Sequence, residues 1–460
     1  MNLGMLKLFR LLIITIFFQN LFASTQSFDF DFIKKGVQNE NTLLIIGGIQ
    51  GDEPGAFMAA SLITTHYKIT KGSVWIVPNL NFYSIIKRSR GPFGDMNRKF
   101  AALSAEDPDY NAIQRIKNYI KAPEVKVILN LHDGSGFYRK DFVDWSHSPN
   151  RWGQSSIIDQ SFLNIEAYGN LEEISSEVCN HVNKNLINEK DYYSVKNTHT
   201  RLGDKEMEKT LTYFAINNGK AAFGNEASKN LPLHERTYYH LVALEKYMEI
   251  MGIEFERRFD LNSLAVKDVI DHDIYISFYD DKIQLPLSEI RNILKYFPIK
   301  KDGNLEFTPS NPLMTIIKNN DTYMIHYGNR KLATLKADYL DMDVQQKFIT
   351  MNIDGEQRRV SIGSIVDVDE NFEIEPIKDF RINIIGFVQK GKRDESGVQV
   401  NKNKIQKRYS IDRNGKVFRV EIYKDNKFAG MVLVNFDKNR KMRENLSVTD
   451  KKEKRTTAKL

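Results

Sequence analysis

The chain is predicted to fold as an α/β domain followed by a small α+β module and a β-sandwich, on three observations. Near-continuous apolar runs alternate with amphipathic stretches from Thr42 to about Met251, the pattern of buried strands in a sheet covered on both faces. After Gly252 the runs shorten and turn signals multiply. From Asp343 to Asp437 nearly every segment reads as strand. At 460 residues the chain is too long for one core, and 41% hydrophobic and 27% charged residues with only 12 prolines describe folded globular domains.

The first 23 residues read as a secretory signal. Lys7 and Arg10 precede the apolar run Leu11 to Phe18, and Ala23 offers a small residue for cleavage before Ser24. That run is shorter than the ~20 residues needed to cross a bilayer, and no other segment of the mature chain reads as a membrane span. A protein exported to the periplasm is expected.

Net charge is +7, but it is unevenly placed. The segment 438–460 carries nine Lys/Arg against three Asp/Glu and reads as a basic, disordered tail, leaving the body near neutral. Without a stripe of basic and aromatic residues in the folded part, nucleic-acid binding is not expected. The single cysteine, Cys179, excludes an intramolecular disulfide and any Cys-rich metal site, so a transition metal would need His, carboxylate or amide ligands.

In the α/β domain, 24–252, strands are expected at Leu43 to Gly48, Ser73 to Val77 and Val125 to Leu131. Ile113, Ile116, Tyr119 and Ile120 fall on one helical face ending before Pro123. In the module 253–341, strands are expected at Ile274 to Tyr279, Leu313 to Lys318 and Thr322 to Tyr327. A helix capped by Ser288, with Ile290, Ile293, Leu294 and Phe297 as its stripe, is expected before Pro298. In 342–437, Asp354-Gly355 and Asn414-Gly415 mark turns, with strands at Phe380 to Val388 and Lys416 to Tyr423.

Residues 43–55, LLIIGGIQGDEPG, form a strand, a glycine-rich turn and a helix opened by Pro54. Neither GxGxxG nor GxxxxGK[ST] is present, so the glycines mark no phosphate cradle. The turn does place Gln50 and Glu53 at the carboxyl end of a strand, where open α/β sheets hold their ligands. A second strand delivers His132 at its own carboxyl end. An amide oxygen, a carboxylate and an imidazole suffice for three positions around zinc, leaving a fourth for water. Gln is neutral and hard, a poor zinc ligand, and the same residues also suit a turn cap and a hydrogen-bonded core histidine.

Between these strands, residues 79–100 read NLNFYSIIKRSRGPFGDMNRKF, crowding Arg88, Arg90, Asn97 and Arg98 into one glycine-containing segment that suggests an anion site. Here the sequence resembles the zinc carboxypeptidase superfamily, in its succinylglutamate desuccinylase-like branch. There an HxxE metal motif is followed by an Arg, a DxNR element and a lone His after a strand. The resemblance implies a carboxypeptidase-like α/β domain whose zinc is held by Gln50, Glu53 and His132. It gives Asn97 and Arg98 the grip on a terminal carboxylate and Arg90 the polarisation of the scissile carbonyl, with Arg88 able to exchange with Arg90. It also implies a general base on a late strand, and in AAFGNEASK, 221–229, that residue is Glu226.

The superfamily has His where this chain has Gln50. A QxxE variant resembles the cell-shape-determining DL-carboxypeptidases of helical bacteria, which remove meso-diaminopimelate from the muramyl tripeptide of peptidoglycan and leave a dipeptide. Two other functions remain open: a non-catalytic peptidoglycan-binding scaffold, and an amidoacylase or desuccinylase of small acylated amino acids, which an export signal disfavours. Tyr213 with Thr210 or Thr212 suits either substrate lining or packing. Asp271-His272-Asp273 reads as the start of a strand or turn. His147, His199 and His326 show no carboxylate at a recognisable spacing, and Trp145 and Trp152 line a groove or anchor a loop.

Overall fold

The computed structural model describes residues 28–392 and 394–437 and the two-residue strand Ala458–Lys459. The signal segment 1–23, and the basic tail apart from that strand, lie outside the described residues. The main elements of the first region are, in chain order, β1 (Ile33–Gly36), β2 (Thr42–Ile46), α1 (Pro54–His66), β3 (Ser73–Val77), α2 (Phe82–Lys87), α3 (Tyr110–Lys121), β4 (Val125–Gly134), β5 (Ser155–Ile158), α4 (Leu171–Asn183), β6 (Ser194–Asn197), α5 (Leu211–Asn217), β7 (Ala221–Ser228) and α6 (Leu233–Ile250).

Seven strands form one mixed sheet in the order β1-β3-β2-β4-β7-β5-β6. The central strands β3, β2, β4 and β7 are parallel, while β5 runs against β7 and carries β6 parallel to itself. Every residue of β2, β3 and β7 is buried. That is why these strands read as unbroken apolar runs rather than as alternation. The faces divide by parity along β7. Asn225 bonds His240 of α6 at 2.8 Å and Phe223 packs on Tyr247 of the same helix, so Gly224 and Glu226 project from the opposite face.

Helix α1 is apolar nearly all round, and ten of its thirteen residues are buried. It lies between the sheet and later parts of the chain: Asn311 donates to Ser61, and Phe57 closes on Gly328. One hydrophobic cluster therefore runs from Phe30 through the sheet to Leu335 and takes in Ile411, Val417, Tyr423, Phe428, Met431 and Leu433 of the C-terminal stretch. A second, separate cluster, Ile349 to Phe436, lies between two four-stranded sheets in the C-terminal stretch. These bear out the expected α/β, α+β and sandwich-like order.

Two local expectations between 253 and 341 are corrected. The segment expected as a helix capped by Ser288 is instead a strand, β8 (Ile293–Lys300), at the edge of a four-stranded sheet. A bulge between Leu294 and Phe297, with Tyr296 at φ 54°, puts two residues three apart on the same buried side and so imitates a helical period. Pro298 is tolerated because the strand is an edge. The second correction concerns Asp271-His272-Asp273, which ends a helix, α7 (Ser263–His272), rather than opening a strand. Asn262 caps that helix through Ala265, and Val266, Val269 and Ile270 form its buried stripe.

Candidate metal centre

Glu53 occupies the N-cap of α1, yet its side chain makes no capping bond. The free N–H of Gly55 is taken instead by Asp133 Oδ2, at 2.8 Å, from the neighbouring strand β4. This exchange releases the Glu53 carboxylate to face His132, whose Nδ1 lies 2.9 Å from Glu53 Oε2. The Asp133 backbone N–H donates to the same oxygen at 3.2 Å, and Arg90 and Lys229 flank Oε1 at 3.3 and 3.4 Å.

Gln50 reaches the same point from the turn after β2, with its Oε1 3.1 Å from His132 Nδ1. Two donor-to-donor separations near 3 Å match the edges of a tetrahedron whose metal–ligand bonds are ~2 Å, so the trio fits a divalent cation. Among the described residues no group of three His, Cys, Asp or Glu side chains makes a metal cluster. A three-ligand set at this point would therefore include the Gln50 amide beside Glu53 and His132.

Strand β4 extends past its expected end at Leu131 to Gly134, so His132 lies within the ladder, directly beside Glu226 of β7. Gly134 is required here: a Cβ on it would meet the Gly153 nitrogen at 2.5 Å and Glu226 Oε2 at 2.7 Å. Glu226 is buried and its Oε2 has no hydrogen-bond partner among the described residues. Burial pushes its carboxyl up to about 8, against the pull of His132 and with added repulsion from Glu53. His132 is also raised; burial disfavours its charged form, but the hydrogen bond and charge of Glu53 outweigh that.

The 79–100 segment supplies the rest. Asp95 caps the 3₁₀ turn Met96–Arg98 through the Asn97 N–H and accepts from Gln50 Nε2 at 2.7 Å and Arg90 Nε at 3.0 Å. Burial opposes the Asp95 charge, but the Gln50 donor and the Arg90 cation hold its carboxyl below the usual range. Asn97 Oδ1 accepts from the Leu211 N–H, which turns its amide N–H₂ toward His132 Nε2, 3.4 Å away. Arg98 stays partly exposed, bonded to the Asn97 carbonyl. Arg88 is placed differently. It closes α2 in the left-handed conformation and donates to the Asn329 carbonyl. Of the two arginines that sequence left interchangeable, only Arg90 pairs with the Glu53 and Asp95 carboxylates.

Thr210 caps α5 through Tyr213 N. His147 does have a carboxylate partner, contrary to expectation: Asp144, three residues back, lies 3.0 Å from it. Sequence reading passed over Asp95 and Asp133, although both sit inside the motifs it singled out, one in DMNR and one directly after His132.

A family model described as the catalytic part of a carboxypeptidase controlling helical cell shape matches residues 12–271. A second, the C-terminal domain of metallo-carboxypeptidase, matches residues 342–437. No curated protein matches the chain. Among solved structures, apo Csd4, a cell shape determinant of Helicobacter pylori, is 38% identical with a TM-score of 0.79, over 89% of this chain and 100% of that one. Its tripeptide-bound form matches with a TM-score of 0.77 at the same identity and coverage. The form bound to mDAP, described as a D,L-carboxypeptidase, is 39% identical with a TM-score of 0.78, over 88% of this chain and 100% of that one. The chain belongs to the family of metallo-carboxypeptidases that control helical cell shape.

Proposed function

We propose that the protein is a zinc D,L-carboxypeptidase of the periplasm that cleaves the γ-D-glutamyl to meso-diaminopimelate bond of muramyl tripeptide. The observation that carries this reading is the convergence of Gln50 Oε1 and Glu53 Oε2 on His132 Nδ1, with the unpartnered Glu226 carboxyl on the adjoining strand. Likeness to tripeptide-bound and mDAP-bound Csd4 supports the substrate.

In this reading Gln50, Glu53 and His132 hold the cation. Bound zinc supplies Lewis acidity toward the scissile carbonyl and a water of lowered pKa. Glu226 takes the proton of the attacking water and delivers it to the departing diaminopimelate nitrogen as the C–N bond breaks. Arg90, beside Glu53, faces the oxygen that gains charge, and Asn97 and Arg98 bind the substrate's terminal carboxylate through N–H donors. The Asn329 contact of Arg88 favours Arg90 for the polarising role and leaves Arg88 at the rim. The products are a muramyl dipeptide with a free γ-carboxyl group and diaminopimelate.

The test is zinc titration of purified protein beside cleavage of muramyl tripeptide. One tight site that is lost in His132→Ala, with cleavage abolished by a chelator and restored by zinc, is the expected result. Tripeptide binding with no cleavage by zinc-loaded protein would replace this reading with a wall-binding scaffold.

A further inference from the structure

A primary amide presents two chemically opposite ends, and only its oxygen can ligate a cation. Something must hold Gln50 oxygen-first. In this chain that group is Asp95, whose Oδ1 accepts from Gln50 Nε2 at 2.7 Å. Asp95 is itself fixed from two sides: Oδ1 caps Met96–Arg98 by accepting the Asn97 N–H at 2.9 Å, and Oδ2 accepts from Arg90 Nε at 3.0 Å. With the nitrogen end committed, Gln50 Oε1 is left 3.1 Å from His132 Nδ1. A carboxylate accepting from the amide nitrogen also polarises the amide, drawing electron density onto the oxygen, as outer-shell carboxylates do for metal-bound imidazoles.

We infer that Asp95 is a positioning residue that determines which side chains can serve as ligand at position 50: one acceptor must face the cation and one donor must face Asp95. This rests on the reading of Gln50, Glu53 and His132 as the metal trio. Gln meets the requirement with its two amide ends, and His meets it with its two ring nitrogens. Glu does not. A carboxylate at position 50 is the stronger anionic ligand for a divalent cation, but its second oxygen would lie against Asp95 Oδ1 with no proton between them. The rule therefore runs against ligand strength alone: adding a negative charge to the trio weakens it while Asp95 is present.

The experiment measures zinc affinity of the full chain by competition with a chromophoric chelator, without reference to turnover. It uses wild type, Gln50→Glu, Asp95→Asn and the double variant Gln50→Glu/Asp95→Asn. Gln50→Glu is expected to bind zinc at least tenfold more weakly than wild type. The double variant is expected to recover at least tenfold over Gln50→Glu, because the amide N–H₂ introduced by Asp95→Asn donates to the new carboxylate. Asp95→Asn alone is expected to lose less than Gln50→Glu, since its Oδ1 still accepts from Gln50. Asp95→Leu, which offers no acceptor, should lose ~10- to 100-fold. The exchanges between Glu and Gln and between Asp and Asn conserve shape, so they decide the matter even where Asp95→Leu fails to fold. Tighter zinc binding by Gln50→Glu, or no gain on adding Asp95→Asn, overturns the inference. Wild-type affinity that is unchanged by His132→Ala would instead overturn the metal trio itself.

Discussion

Glu226 stands directly across a parallel ladder from His132, each in register with the other. Adjacent strands lie ~4.8 Å apart, and paired residues project from the same face, so the backbone ladder rather than any side-chain contact keeps Glu226 beside His132, the base of the proposed mechanism beside its proposed ligand. Glu226→Gln conserves shape and removes the proton acceptor. Turnover should fall by ~10²- to 10⁴-fold, with zinc affinity and melting temperature held at or above wild type. Steady-state kinetics and a melting curve check this, and retained turnover would take the base assignment away from Glu226.

In the proposed site His132 must lose its Nδ1 proton to hold a cation, and the cation's charge favours the ionised form of the neighbouring Glu226. Burial raises Glu226 to about 8, and Glu53 holds His132 above its ordinary value despite burial, so at pH 6.5 the metal-free protein carries protons on this cluster. Zinc binding should release protons at pH 6.5 and fewer above pH 8. Calorimetry in buffers of differing ionisation enthalpy reads this directly. Heats independent of the buffer at pH 6.5 would contradict it.

The same shift fixes a sign for stability. A carboxyl whose pKa is raised on folding binds its proton more tightly when folded. Glu226 therefore favours the metal-free fold below its unfolded value, and that contribution is lost as pH rises toward about 8. Glu226→Gln should flatten this part of the metal-free stability profile. Denaturant titrations at pH 5 and pH 8 test it.

Asp133 is fully buried and serves three groups on two helices: the Gly55 N–H at the start of α1, and Arg236 Nη1 at 2.8 Å and His240 Nε2 at 3.2 Å on α6. Burial opposes its charge, but the His240 bond and the Arg236 cation hold its carboxyl below the usual range. Asp133→Ala leaves the Arg236 charge without its carboxylate and should cost about 3–5 kcal/mol. Asp133→Asn keeps an acceptor and should cost less. Zinc affinity should fall in Asp133→Ala and less in Asp133→Asn, because Asp133 takes the Gly55 N–H in place of Glu53 and the Asn oxygen can still accept it. Denaturant unfolding with zinc titration separates the two effects.

Gly134→Ala would drive a methyl group against Glu226 Oε2 and the Gly153 nitrogen. Overpacking of this kind costs about 1–3 kcal/mol, and the displaced carboxyl should lower kcat more than it raises KM. A folded variant with wild-type kcat would show that the site tolerates movement of Glu226.

The sheet was legible because its strands are buried on both faces and read as unbroken apolar runs, such as LLII and VKVILNL. Gln50, Glu53, His132 and Glu226 were legible because each follows or ends such a run. Asp95 and Asp133 were not, since what they do depends on partners 45 and up to 107 residues away. The edge strand Ile293–Lys300 was misread because a bulge shifts its alternation into a spacing of three. Helix α7 was missed although Asn262 and the Val266, Val269, Ile270 stripe announce it, because the short strands around it set the expectation.

The measurement that bears most directly on the account is incubation of zinc-loaded protein with muramyl tri-, tetra- and pentapeptides, with and without a chelator, followed by identification of products by mass. The account predicts conversion of the tripeptide alone to dipeptide and free diaminopimelate, stopped by the chelator. No conversion of tripeptide by zinc-loaded protein, or shortening of tetra- and pentapeptide instead, would contradict it.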